Sequence, residues 1–120
     1  MKPFIIYHNP RCSKSRQALA LLQALSLPYE CIEYLEHPLS LSELQELAAH
    51  FELKDFVRQQ EAAFKENHLS FNAPQEILSA MTKHPILMQR PIVCYGKQAI
   101  IARDIELFKQ WIDKNHQHQQ

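Results

Sequence analysis

Glycine is almost missing: Gly96 is the single glycine in 120 residues. A chain this poor in glycine has no phosphate-cradling loop of the GxGxxG or GxxxxGK kind, so nucleotide binding by those devices is excluded. Its remaining turns are expected to use Asn, Asp, His or Pro. An excess of either charge is also missing, since thirteen basic and thirteen acidic residues give a formal charge of zero. No overall basic field argues for a nucleic-acid partner and no acidic block argues for disorder, so charge-driven recognition must be local. Long apolar runs are absent as well. The opening MKPFIIYHNP is too short a hydrophobic stretch for a signal peptide, and no segment approaches the roughly 18 apolar residues that span a bilayer. A cytoplasmic protein with no membrane partner is expected. Cysteines are few and odd in number, Cys12, Cys31 and Cys94, without CxxC or metal-ligand spacing. That pattern fits a reducing compartment, no metal, and at least one free thiol.

The composition, 46% hydrophobic and 22% charged, is that of one soluble domain. Residues 3–7 read as a buried strand, short and β-branched, stopped by Asn9-Pro10. The period then changes: Ala18, Leu21, Leu22 and Leu25 place one apolar face on a helix over about 13–25, which Pro28 ends. Tyr29 to Leu35 reads as a second strand, parallel to the first in a β-α-β unit. Residues of about 37–85 read as a helical insertion. In it Ser40 and Glu43 form a capping box and Leu39 and Leu44 a hydrophobic staple ahead of a helix over about 41–50 with Leu41, Leu44, Leu47 and Ala48 on its face. The stretch 56–67 reads as one or two short helices, and Asn72-Ala73-Pro74-Gln75 opens another with Ile77, Leu78 and Met81 inward. Strand patterning returns at Ile92-Val93-Cys94-Tyr95, turns at Gly96-Lys97 and continues through 98–102 as a hairpin. Asp104 is placed to cap a last helix whose Leu107, Phe108, Trp111 and Ile112 cover the sheet. One domain over 1–115 is expected, with 116–120 as a disordered tail.

The stretch YHNPRCSKSR sets Cys12 at the turn between strand and helix. A sulfur there faces the unpaired N–H groups and positive dipole end of the helix, which favour an anion. Arg11, Lys14 and Arg16 add positive charge, and His8 is near enough in sequence to support an ionised thiol. Such surroundings lower a cysteine pKa from about 8.5 into a range of roughly 3.5 to 7.5. Cys31 and Cys94 lack these neighbours and read as core residues. Position 15 is serine, so a CxxC dithiol cycle is closed to Cys12, and an oxidised intermediate must pass to an outside thiol. Ser15 is available to orient the thiolate or to donate to a bound anion.

The segments IYHNPRCSKSR, YLEHP, HPILMQRPIV and IARDIELF, in this order from about Phe4 to Trp111, resemble the arsenate reductase family of the glutaredoxin-using type. The resemblance implies an α/β fold, a thioredoxin-like mixed sheet of about four strands with flanking helices and a helical insertion. It implies a cis peptide before Pro91, a structural proline beside the active thiol. It implies Cys12 as the catalytic nucleophile, His8 and Ser15 as thiolate-stabilising residues, and Arg58, Arg90 and Arg103 as the oxyanion-binding set. Planar guanidinium forks suit an arsenate dianion and offset its repulsion of an approaching thiolate.

The implied partners are arsenate or a related oxyanion, glutathione as co-substrate, and glutaredoxin, with no bound cofactor and a monomeric chain. Asp104 departs from the family's usual proline after the third arginine; a pair between Asp104 and Arg103 would weaken oxyanion binding. Two further readings stay open: a redox-responsive regulator that binds RNA polymerase, and a glutathione-dependent reductase of another substrate.

Overall fold

The computed structural model describes residues 2–118. In chain order the elements are β1 (Phe4–His8), α1 (Ser13–Ala24), β2 (Tyr29–Glu33), α2 (Leu41–Ala48), α3 (Leu53–Phe56), α4 (Ala62–Glu66), α5 (Pro74–Lys83), β3 (Ile92–Tyr95), β4 (Gln98–Ile101) and α6 (Ile105–His118), with a 3-10 turn at Pro85–Leu87 before β3. Two compact units result: Met1–Glu33 with Arg90–Gln120, and Tyr34–Gln89. Among the described residues no helix is long and apolar enough to cross a membrane.

The first unit holds a four-stranded mixed sheet in the order β2-β1-β3-β4. β1 runs parallel to β2, with Ile6 opposite Cys31, and antiparallel to β3, with Ile6 opposite Val93. Alternation along β1 turns Phe4, Ile6 and His8 to the buried side. There Phe4 and Ile6 pack with Ala18 and Leu22 of α1, Val93 and Tyr95 of β3, and Phe108 and Ile112 of α6. Phe4 stacks on Tyr95 with ring centroids 4.2 Å apart. Truncating a buried phenylalanine like this one costs about 3–5 kcal/mol.

Several expectations are corrected in this unit. Leu25 and Leu107 are exposed at 47% and 56%; Leu25 is the C-cap of α1, where the chain already turns away. The inward face of α1 instead carries Ser15, Ala18 and Leu22. Cys31 is exposed, not core, because β2 is an edge strand with a neighbour on one side only. The expected tail from residue 116 meets helix α6, which continues to His118, and the His116 ring lies 6.1 Å from that of Tyr95. Gln119 and Gln120 lie outside the described residues.

The shortage of glycine is met in an unexpected way. α1 ends in a Schellman turn, with Leu27 N–H donating to Leu22 C=O and Ser26 N–H to Gln23 C=O. Ser26 occupies the left-handed position at φ 55°, and His68 does the same at φ 54° after α4. Gly96 sits at φ 59° in the hairpin turn, where no Cβ opposes that conformation.

The second unit, Tyr34–Gln89, starts and ends slightly outside the 37–85 insert read from patterning. Ser40 Oγ accepts from Glu43 N–H and Glu43 Oε1 from Ser40 N–H, completing the capping box of α2. Leu44 and Leu47 of α2 and Ile77, Leu78 and Met81 of α5 are buried, while Leu41 is exposed. The Phe56 backbone C=O accepts from Gln89 N–H and Arg58 N–H donates to Leu87 C=O, so an isolated antiparallel bridge joins Val57 to Met88.

Candidate active site

The end of β1 and the start of α1 build the first half of the site. Asn9 C=O accepts from Cys12 N–H at 3.0 Å and Asn9 Oδ1 from Arg11 N–H at 3.0 Å, closing a tight turn. Cys12 is the N-cap of α1, with extended backbone at φ −100° and ψ 122°. Its sulfur makes no capping hydrogen bond of ordinary geometry, and the N–H groups of the first helical turn act on it as nearby dipoles.

The hairpin builds the second half. Ile92 pairs with Ile101, and Ala102 N–H donates to Pro91 C=O at 2.9 Å. Continuing that register brings Arg90 opposite Arg103. Arg103 Nη1 donates to the Arg90 carbonyl at 2.7 Å and to Cys12 Sγ at 3.9 Å. The Arg90–Pro91 peptide is cis. Cys12, Arg90 and Arg103, far apart in sequence, therefore meet within one unit.

The electrostatics follow from these neighbours. Burial pushes the Cys12 thiol up, but the Ser15 backbone N–H, the Arg90 side chain, the Lys14 backbone N–H and the Arg103 side chain outweigh it and hold the thiol below the ordinary value. The cations acting on the sulfur are thus Arg90 and Arg103. The side chains of Arg11, Lys14 and Arg16, which the sequence places closest, are exposed, and Arg16 Nη1 instead braces the loop by donating to Pro10 C=O at 2.9 Å. Asp104 Oδ1 accepts from Glu106 N–H at 3.0 Å and Leu107 N–H at 3.2 Å. Asp104 therefore caps α6, and Arg103 turns its Nη1 to Cys12 and the Arg90 carbonyl.

The remaining site residues are placed differently from the simplest expectation. His8 is the last residue of β1, and its Nδ1 lies 2.6 Å from Ser15 Oγ. Burial holds His8 below the usual histidine range, against Glu33, which raises it, and with Arg16, which lowers it further. Burial thus favours the neutral imidazole. Ser15 influences the sulfur through its backbone N–H, while its hydroxyl is engaged by His8 and by Asn9 N–H. Arg58 belongs to the second unit, where its Nε donates to Glu61 Oε1 at 3.0 Å and its Nη1 to Gln89 Oε1 at 3.1 Å. Asn9 carries three of the loop's hydrogen bonds and was missed in the sequence; an Asn-Pro pair before a candidate nucleophile was the available signal.

The other thiols contrast with Cys12. Burial pushes Cys94 up to about 11, and burial together with Glu33 raises Cys31. Both stay protonated at neutral pH.

Comparison with known proteins places these features in context. The model of the ArsC family matches residues 7–111. An arsenate reductase of Haemophilus influenzae is 39% identical over 108 residues, covering 85% of this chain and 92% of the relative. An arsenate reductase of Neisseria meningitidis is 37% identical over 108 residues, covering 84% and 91%. The solved structure of an arsenate reductase from Vibrio cholerae superposes with a TM-score of 0.78 at 37% identity, covering 91% of this chain and 97% of the other. The sheet and its flanking helices are thus the thioredoxin-like arrangement shared with these proteins.

Proposed function

Because the chain belongs to the ArsC family, we propose that it reduces arsenate to arsenite with Cys12 as nucleophile, and that glutathione and glutaredoxin supply the electrons. The observation that carries this reading is the 3.9 Å approach of Arg103 Nη1 to Cys12 Sγ, in a site where Arg90 also lowers the thiol's pKa. A thiolate held by guanidinium groups is both an activated nucleophile and part of a cationic pocket for an oxyanion. Arg90 and Arg103 would share a tetrahedral dianion with the sulfur. Arg58, which the family resemblance also assigns to the oxyanion, donates to Glu61 and Gln89 within the second unit. Pro91, in the cis peptide after Arg90, shapes the wall beside the thiol.

In the proposed sequence Cys12 thiolate displaces one arsenate oxygen, which leaves as water after taking up two protons, and a sulfur–arsenic(V) bond forms. Glutathione then displaces a second arsenic-bound oxygen, which leaves as water, to give a Cys12–S–As(V)–S–glutathione adduct. The glutaredoxin thiolate attacks the glutathione sulfur, so a glutaredoxin–glutathione disulfide forms, the As–S(glutathione) bond breaks and its electron pair takes arsenic from +5 to +3. Water then hydrolyses the Cys12–S–As(III) bond, releasing arsenite and restoring the Cys12 thiol. Ser15 in place of a second cysteine is why the disulfide forms outside this chain. No bound cofactor takes part.

Arsenite formation with purified protein tests the reading. With glutathione and glutaredoxin present, turnover is expected; omission of either thiol donor is expected to stop it. Equal turnover with thioredoxin alone would overturn the proposed electron source, and no arsenite under any thiol regime would overturn the substrate.

A further inference from the structure

The chain is neutral as a whole, yet its charges are unevenly shared. Nine basic and five acidic residues fall in Met1–Glu33 with Arg90–Gln120, and four basic and eight acidic in Tyr34–Gln89. Within the first unit the bias is sharpest around the thiol. Residues 1–29 hold four cations, Lys2, Arg11, Lys14 and Arg16, and no carboxylate side chain. The first turn of α1 is likewise free of acids. A field of one sign beside a reactive group gathers ligands of the opposite sign.

Three of these cations border Cys12, and they are not equivalent. Arg16 Nη1 donates to Pro10 C=O. Arg11 and Lys14 are exposed, and among the described residues neither side chain has a hydrogen bond or an ion pair. Glu33, opposite His8 in the sheet register, acts on His8 and Cys31 and pairs with neither cation. Exposed cations elsewhere in the unit have an acid at hand, as Lys109 has Glu106 on α6; around Cys12 none is interleaved. Nor do these two side chains ionise the thiol, whose charged partners are Arg90 and Arg103, while Lys14 acts on it through the backbone N–H. Their charge is left to meet what approaches the sulfur.

The oxyanion already has Arg90 and Arg103. The thiol reductant of the proposed reaction is a second anion: glutathione is a tripeptide with a carboxylate at each end and the thiol between them. Arg11 precedes Cys12 by one residue and Lys14 follows it by two, so the nucleophile has a cation on each side along the chain. We propose that Arg11 and Lys14 receive the two carboxylates of glutathione and hold its thiol beside Cys12, which makes this loop a reductant-docking surface. A guanidinium takes a carboxylate bidentately and an ammonium takes one as a point charge. Exposed pairs of this kind are individually weak and screened by salt, so their effect falls on recruitment of the reductant. The bond changes are those of the second step of the proposed sequence, in which the glutathione sulfur displaces an arsenic-bound oxygen that leaves as water. This assignment rests on glutathione being the reductant and not on the identity of the oxyanion.

Thiol–disulfide exchange on the full chain, with no arsenic present, tests the docking surface apart from the arsenate reading. In a Cys31→Ser background, which removes the exposed thiol, dithiodipyridine converts Cys12 to an uncharged mixed disulfide. Release of pyridinethione then reports attack by glutathione or by neutral mercaptoethanol. Arg11→Gln with Lys14→Gln is expected to lower the ratio of the glutathione rate to the mercaptoethanol rate about fivefold at about 20 mM salt, and about 300 mM salt to remove most of that difference. Arg11→Lys with Lys14→Arg keeps both charges and is expected to preserve the ratio. An unchanged ratio in the glutamine variant would overturn the proposal, as would an equal loss in the charge-keeping one. In the arsenite assay the glutamine variant is expected to raise the KM for glutathione and leave the KM for arsenate in place. The reverse, or a rise in the KM for glutaredoxin alone, would assign the two cations to another ligand and overturn it.

Discussion

Removing the charge of Arg103 while keeping its approximate length, as in Arg103→Gln, should raise the pKa of Cys12. At the observed 3.9 Å from Nη1 to Sγ, two unit charges attract by about 1 kcal/mol in bulk water and about 4 kcal/mol at the effective dielectric of a protein surface. Neither residue is buried, so solvent screening keeps the interaction at the lower end, about 1–2 kcal/mol. With 1.36 kcal/mol per pKa unit as the conversion, the expected rise is about one unit. The sign is fixed by the charge: a cation stabilises thiolate over thiol, so its loss makes the sulfur harder to ionise. Arg90 and the helix-start N–H groups remain, so the pKa is expected to rise only part of the way to the ordinary thiol value. Arg103 also holds the Arg90 carbonyl at 2.7 Å, and Arg103→Lys separates the two roles by keeping a cation without the guanidinium fork. The assay is the rate of iodoacetamide alkylation of Cys12 against pH, followed by intact-mass spectrometry. A midpoint for Arg103→Gln within about 0.2 units of wild type, an interaction of under roughly 0.3 kcal/mol, would refute the assignment of Arg103 as a thiolate partner.

The three thiols should also separate by reactivity. At pH 7 Cys12 is expected to alkylate first, Cys31 slowly and Cys94, raised to about 11 by burial, only after unfolding; peptide mapping of a short iodoacetamide pulse reads the order, and early labelling of Cys94 would contradict it. Asp104→Ala removes the acceptor for Glu106 and Leu107 N–H and is expected to lower stability by about 1 kcal/mol while leaving the Cys12 alkylation midpoint in place; urea unfolding with the same alkylation assay checks both. Ser26→Gly relieves the left-handed position at φ 55°, a gain of about 1–2 kcal/mol that exceeds the roughly 0.5–1 kcal/mol entropy cost of glycine, and should raise the Tm; a lower Tm would count against strain there.

What the sequence displayed was largely local. The capping box at Ser40 and Glu43 lies within one helical turn, the hairpin turns on Gly96, and Cys12 sits at a strand-to-helix junction; each is a pattern of a few residues. The exposed state of Cys31 was hidden because apolar neighbours in YECIE look alike at the centre and at the edge of a sheet, and the strand order decides which. The charged partners of Cys12 were misjudged from proximity in sequence: the side chains of Arg11, Lys14 and Arg16 are exposed, with Arg16 engaged by the Pro10 carbonyl, whereas the hairpin register delivers Arg90 and Arg103. Only the resemblance to a known family singled those two out. The bond between His8 and Ser15 joins a strand end to the buried face of a helix, and no periodic pattern announces a serine there. Left-handed Ser26 and His68 escaped notice because neither residue type marks such positions as glycine does.

Arsenite production by wild type and Cys12→Ser, side by side in the presence of arsenate, glutathione and glutaredoxin, tests the thiolate chemistry most directly. Steady turnover by wild type and background rates in the serine variant are expected, since a hydroxyl at position 12 stays un-ionised beside Arg90 and Arg103. Comparable turnover by both proteins would contradict the account.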